Sequence, residues 1–454
     1  MLQMQHMTGS PWKREHRDLV ANTRVRFRDI RIANNESRVI LNSLWRAEHQ
    51  KAQMMHSALL QLQTGDGKPS PGFDRETMAS QPFVSSVLVK PVSDLCNLRC
   101  SYCYEGEVDV RVNTRRMPDE ILERIISETL GQARHTLHFL WHGGEPFLAG
   151  LDFYRKALSF QDTQNTRGIS ITNGIQTNGT LLNEQWCEFF ANHNFHVGVS
   201  IDGPEDLHDR NRYGLGKRGS FRQMTRGLKL LQDYKIPFTA IVVVTADSNG
   251  RAQDVFNVLR ELGVDHYDVH PGFGMETSGP KRPVEPKVYS QFVINLFENW
   301  LTSGREEIYI PVFEDIFQAL IGSGPSTCYF AGTCSNIVGI EANGDVIPCT
   351  RPFDKSLYTF GNIRETSLPR ILEGDRSRRF TIEDHEGQRN SQSCPWYAMC
   401  HNGCPQHRVT DGERNVSGAN LYCSCQSGSA GGFSEIFEHV VRRTVGILER
   451  SEND

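Results

Sequence analysis

Three cysteines, Cys96, Cys100 and Cys103, stand at the spacing Cys-x3-Cys-x2-Cys just after the apolar run FVSSVLVK. Three is the informative number. A structural zinc or an electron-transfer cluster ordinarily takes four protein ligands, so three thiolates on one loop would leave one iron of a 4Fe-4S cluster open to a further ligand. The competing reading is zinc with a distant fourth ligand. Eight more cysteines fall between 328 and 425, and Cys187 stands alone between the two groups. In a chain expected to stay in a reducing compartment, clustered thiols read as metal ligands rather than a disulfide framework. Cys187, in the helical NEQWCEFF, reads as a core thiol.

From about residue 82 the elements that must hold these groups alternate between strand and helix. The strand candidates are FVSSVLVK, HTLHFLW, ISITNGIQT, HVGVSID, FTAIVVVT and HYDVHPG. Helical stretches follow or separate them at MPDEILERIISETL and near 151–160, 180–193, 219–233 and 251–262. Repeated βα units of this kind predict an α/β fold, a partial (β/α)6 TIM-like barrel of parallel strands. Chemistry in such folds sits where strands end. There the chain carries Gly143-Gly144-Glu145-Pro146, QTNG (176–179), SIDGP (200–204) and Arg212 in HDRNR. Taken singly, each also reads as a turn, a cap or a solvated charge.

The predicted organisation is an N-terminal extension over 1–80, the barrel over 81–305, a Cys-rich domain over 306–430 and a terminal helix over 431–454. In the extension, ESRVILNSLWRAEHQKAQMMHSALLQLQ reads as an amphipathic packing helix. PKVYSQFVINLFENWL (286–301) reads as the helix closing the barrel. NIVGIEANGDVIPC reads as a β-hairpin turning at Asn343-Gly344, a pair suited to positive φ at both positions.

The segment CNLRCSYCYEG, with Tyr102 before the third cysteine and KPVSDL before the first, resembles the radical S-adenosylmethionine superfamily, from about residue 83 onward. The resemblance implies that Cys96, Cys100 and Cys103 hold the catalytic 4Fe-4S cluster and that S-adenosylmethionine chelates its open iron. Gly143, Gly144, Glu145 and Pro146 would then meet the methionine amine, Ser200 and Asp202 the ribose and substrate cavity, and Arg212 the carboxylate. The later cysteines resemble the small SPASM domain with its β-hairpin, which holds two auxiliary 4Fe-4S clusters, three in all. By that resemblance Cys328, Cys334, Cys349 and Cys404 form one ligand set and Cys394, Cys400, Cys423 and Cys425 the other. One departure is Ser391, where the family usually opens a Cys-x2-Cys pair. It leaves open whether Cys423 or Cys425 is a bystander, with Ser391 as ligand or an iron left open, and zinc remains the alternative at either site.

The net charge of -5 comes from mixed signs, which suggests neither a nucleic-acid footprint nor a membrane surface. There is no apolar run long enough to span a bilayer and no apolar secretory core at the start, so a cytoplasmic enzyme is expected. Radical enzymes with SPASM domains act mostly on ribosomally made precursor peptides, installing crosslinks such as cyclophanes, ethers or thioethers, or on sulfatases, oxidising Cys or Ser to formylglycine. The expected partners are therefore a peptide or protein substrate and an electron donor such as flavodoxin or ferredoxin. In the sulfatase-maturing group the hairpin cysteine is typically followed by an Asp thought to be the base. Here Cys349 is followed by Thr350 and Arg351, which favours crosslinking, with Asp354 a residual substitute. A non-catalytic iron-sulfur or zinc scaffold is the reading from another class, and the cofactor-facing motifs argue against it.

Overall fold

The computed structural model describes residues 35–47, 50, 83–105, 116–274, 282–351, 354–409, 416–423 and 431–453. Within it a helix α1 spans 35–47. Strand β1 (Ser86–Val89) is followed by α2 (Asp119–Gln132), β2 (Thr136–Trp141), α3 (Leu151–Gln164) and β3 (Ser170–Thr177). Then come α4 (Glu184–His193), β4 (His196–Ser200), α5 (Glu205–Asn211), α6 (Phe221–Asp233), β5 (Phe238–Val244), α7 (Ala252–Glu261) and β6 (Tyr267–Pro271). The six strands pair in parallel in chain order. This is the βα alternation expected of a partial TIM-like barrel, because each crossover helix returns the chain to the same end of the sheet.

Period-two alternation gives the sheet two different faces. Val87, Val89, Leu137, Phe139, Trp141, Ile175, Val197, Val199, Val242 and Val269 are buried and turn toward the helices, where the Trp141 ring meets Phe153 and Tyr154 of α3 edge-on. The intervening positions, among them Leu140, Gly174, Gln176, Gly198, Ser200, Asp268 and His270, line the inner face. Gly198 has a steric reason to be glycine: a Cβ there would lie 1.9 Å from Gln176 Oε1.

Helices α8 (Pro286–Ser303) and α9 (Pro311–Leu320) lead into the C-terminal region. There β7 (Ile337–Ile340), β8 (Asp345–Ile347) and β9 (Gly361–Asn362) extend the same sheet, with β7 parallel to β1. The sheet thus has nine strands, in the order β9-β8-β7-β1-β2-β3-β4-β5-β6. The hairpin forms where expected, but its turn differs. Gly344 N–H donates to Glu341 O, and only Gly344, at φ 92°, has positive φ. The loop is a turn over Glu341–Gly344 closed by a left-handed glycine, the three-residue alternative to a two-residue Asn-Gly turn. Asn343 caps it instead, its Oδ1 accepting from Asp345 N–H.

The C-terminal region also carries two longer helices, α10 (Asp375–Ser391) and α11 (Phe433–Asn453), beside several short ones. α10 has almost no apolar face and was not foreseen from the sequence. Its inner face instead carries Asp384, which pairs with Arg408 at 2.7 Å, both fully buried. Arg408 also donates to the carbonyls of Asp384, Asn402, Gly403 and Val416. α1 buries Val39, Ile40 and Leu44 and is held by Arg46 to Glu314 of α9 and by Glu36 to Arg443 of α11. The rest of the expected N-terminal helix lies outside the described residues.

Candidate radical and iron-sulfur site

The loop after β1 puts Cys96, Cys100 and Cys103 at the end of the sheet to which GGEP, QTNG and SIDGP also come. Leu98 N–H and Asn178 Nδ2 point at Cys96 Sγ, at 3.4 and 3.8 Å. Burial first, then the Glu145 carboxylate and the neighbouring thiols, push the Cys96 thiol up to about 12. Burial likewise takes Cys100 to about 12, against the opposing pull of Arg212. Thiols this reluctant to ionise alone become ligands when a cation replaces their protons. Three of them on one loop, with N–H donors aimed at the Cys96 sulfur, fit a cluster that takes one thiolate per iron. Among the described residues no three His, Cys, Asp or Glu side chains close on a point as ligands of one metal ion do.

Gly143 and Gly144 have φ of 88° and 53°. A Cβ on Gly144 would stand 2.1 Å from Leu95 O, so only glycine lets this loop touch the cysteine loop. Glu145 is fully buried, and its carboxylate accepts from Phe147 N–H, Thr177 Oγ1 and Asn178 N–H. It is thus a strut between the end of β3 and the GGEP turn, whose Pro146 opens a 3-10 turn. Asp202 and Arg212 form a buried ion pair at 2.9 Å. The same carboxylate accepts from Tyr102 Oη at 2.7 Å and from Val243 N–H. Ser200 Oγ accepts from Gln176 Nε2.

In the C-terminal region the thiols of Cys328, Cys334, Cys349 and Cys404 lie near enough to act on one another electrostatically. The Arg351 guanidinium faces Cys328, Cys349 and Cys404. Cys394, Cys400 and Cys404 sit on a segment joined to 418–423, which carries Cys423, through Asn402 and Asn420. Ser391 Oγ back-bonds to the Gly387 carbonyl within α10, and Cys425 lies outside the described residues. Asp354 is exposed and caps a short helix at Ser356, away from the role of a buried base.

A profile described as the Radical SAM superfamily matches residues 91–259, and one for an iron-sulfur cluster-binding domain, SPASM, matches 328–405. A serine-type anaerobic sulfatase-maturating enzyme of Bacteroides thetaiotaomicron is 31% identical over 376 residues, 78% of this chain and 89% of the relative. The chain belongs to the radical SAM superfamily. A cysteine-type anaerobic sulfatase-maturating enzyme of Clostridium perfringens (strain ATCC 13124) is 29% identical over 371 residues, 80% of this chain and 98% of the relative. The solved structure of native anSMEcpe with bound AdoMet and Cp18Cys peptide is 28% identical, with TM-score 0.69 over 80% of this chain and 99% of that one. Streptococcus suis SuiB bound to S-adenosylmethionine is 16% identical, with TM-score 0.52 over 76% of this chain and 79% of its own, a likeness of fold.

Several polar groups of this radical SAM enzyme escaped the sequence reading. Lys90, at the end of β1, bonds Glu105 at 2.8 Å and Glu341 of the hairpin at 3.4 Å. Asp268 and His270 pair at 3.1 Å on the inner face of β6. The alternation YDVHP held the signal for the second pair, since charged groups at every other position of a buried strand must face a lumen. Glu145 also makes a prediction. Burial outweighs its three hydrogen bonds and raises its carboxyl to about 7. An acid raised in the fold gives stability that is full below its unfolded pKa and lost as pH climbs through the folded one. Urea unfolding at pH 5 and 7.5 should therefore show wild type losing about 2 kcal/mol relative to Glu145→Gln on going to the higher pH. A pH-independent difference would mean that Glu145 titrates normally.

Proposed function

We propose that this radical SAM enzyme oxidises a side chain within a peptide segment, forming a crosslink in a ribosomally made precursor. The cofactor would supply a 5'-deoxyadenosyl radical able to remove one hydrogen atom from an unactivated carbon. Cys96, Cys100 and Cys103 would hold the cluster. The GGEP backbone would receive the methionine amine, and Arg212, oriented by Asp202, its carboxylate. Ser200 would face the ribose. Cys328, Cys334, Cys349 and Cys404 would hold one auxiliary cluster, and Cys394, Cys400, Cys423 and Cys425 the other.

The observation that carries the crosslinking reading is the residue after Cys349. Thr350 bonds back to the Cys349 sulfur, Arg351 brings a cation, and Asp354 is an exposed cap, so the carboxylate base associated with sulfatase maturation is missing there. A peptide substrate is supported by the relative whose structure holds the Cp18Cys peptide. Formylglycine formation is the second reading, favoured by the extent of similarity to both sulfatase-maturating enzymes.

The reconstituted enzyme should be given reductant, S-adenosylmethionine and two substrates: the product of any short reading frame beside its gene, and a sulfatase-derived Ser or Cys peptide. Loss of two hydrogens from the first without reactivity toward a hydrazide supports the crosslink. A hydrazide-reactive product from the second supports the maturase. Cofactor cleavage with neither peptide changed would sink the peptide reading.

A further inference from the structure

The parallel register defines a ring of inner-face residues at one height. Leu88 aligns with Gly339 and Leu140, and Leu140 with Gly174. Two residues on, the same rung holds Glu341, Lys90, His142 and Gln176, and His142 N–H still donates to Val89 O. Nearly every polar group around this lumen is engaged. Lys90 is bound to Glu105 and Glu341, Lys355 to Glu341, Gln176 to Ser200, and Asp268 to His270. Glu145 and Asp202 are consumed by the bonds described above. Among the described residues of the lumen His142 is the exception: its Nδ1 is buried and has no hydrogen-bond partner.

A buried ring nitrogen with nothing to bond is costly unless the site uses it. We propose that His142 Nδ1 accepts the proton that the substrate releases when its radical is oxidised. The inference rests on the peptide-oxidising function. Removing one hydrogen atom leaves a carbon radical. Reaching a closed-shell product then requires the loss of one electron and one proton, whether a C–OH radical becomes a carbonyl or a radical joined to a ring restores aromaticity. The electron would go to an auxiliary iron-sulfur cluster, a one-electron acceptor of the kind that Cys328, Cys334, Cys349 and Cys404 would hold. The proton leaves the oxidised O–H or C–H for Nδ1, giving an imidazolium.

The surroundings suit that exchange. Burial, then the Lys90 and Arg351 cations, lower His142 to about 4, so the ring waits neutral and gives the proton up readily. Such a weak base suffices because a substrate that has lost both a hydrogen atom and an electron is a strong acid. Lys90, Glu105 and Tyr104 from the first loop, Glu341 and Arg351 from the hairpin side, and Asp268 and His270 from β6 are the charged and titratable groups around this lumen.

The test compares wild type with His142→Gln and His142→Ala, measuring modified peptide per 5'-deoxyadenosine released, with His270→Gln as comparator. The expected result is that both His142 variants still cleave the cofactor while the product ratio falls about 100-fold, that imidazole restores His142→Ala, and that His270→Gln keeps its ratio. In 15N-histidine spectra of the holoenzyme, the signal missing from His142→Gln should remain that of a neutral ring at pH 5.5. An unchanged ratio in His142→Gln, or a ring already charged at pH 6, overturns the assignment. Wild type that cleaves the cofactor and alters no peptide removes the functional reading itself, and this inference with it.

Discussion

Replacing Cys96, Cys100 and Cys103 together by alanine is expected to abolish cofactor cleavage and to lower bound iron from about 12 to about 8 per chain, since whole 4Fe-4S units are lost at once. The three side chains share one loop and would serve one group, so single replacements should cost nearly as much activity as the triple one. Iron and acid-labile sulfide after anaerobic reconstitution check this. A native count near 4 would remove the auxiliary clusters from the account, and zinc in the variant's remaining sites would replace them with structural metal.

The second large effect is expected at Arg408. Arg408→Met leaves the buried Asp384 carboxylate without its cation, with Gln388 Nε2 still donating to it, and strips four carbonyls of their donor. Breaking such a pair from one side costs about 3–5 kcal/mol. Because Arg408 ties α10 to the 400–404 and 416–420 segments, the C-terminal iron should go with it while the Cys96 cluster stays. Denaturant unfolding together with iron counting in Arg408→Met and Asp384→Leu/Arg408→Met separates the causes. The double variant, with no orphaned charge, should recover part of the stability. Equal losses in both would place the effect in the lost carbonyl bonds.

The barrel was legible because its signals are local. The strands are short runs of four to eight residues alternating with helices, and the glycine motifs fall at strand ends. The cysteine spacings were legible for the same reason. What escaped depends on register and distance in sequence. Lys90 looks like the last residue of a strand until β7 brings Glu341 beside it, 251 residues later. α10 has a polar sequence with no helical stripe, and it packs through a buried arginine and a small cluster around Phe380 rather than the main core. The hairpin turn slipped by one position because Asn-Gly also fits a three-residue loop. Asp268 and His270 were written in a strand that the sequence reading treated only as scaffold. His142 sat beside GGEP, where the glycines drew attention away from it.

The pairing of β7 with β1 also sets a schedule for the chain as it is made. β1 is among the first parts of the barrel to leave the ribosome, yet the strand that covers its outer edge begins at Ile337. Closure of so long a loop is slow, and an uncovered parallel edge invites pairing with other chains. Until the hairpin arrives, the nascent barrel carries an adhesive flank beside the loop of Cys96, Cys100 and Cys103. Translation speed through the C-terminal third, and chaperones that shield strand edges, should therefore govern how much of this enzyme survives to take up metal.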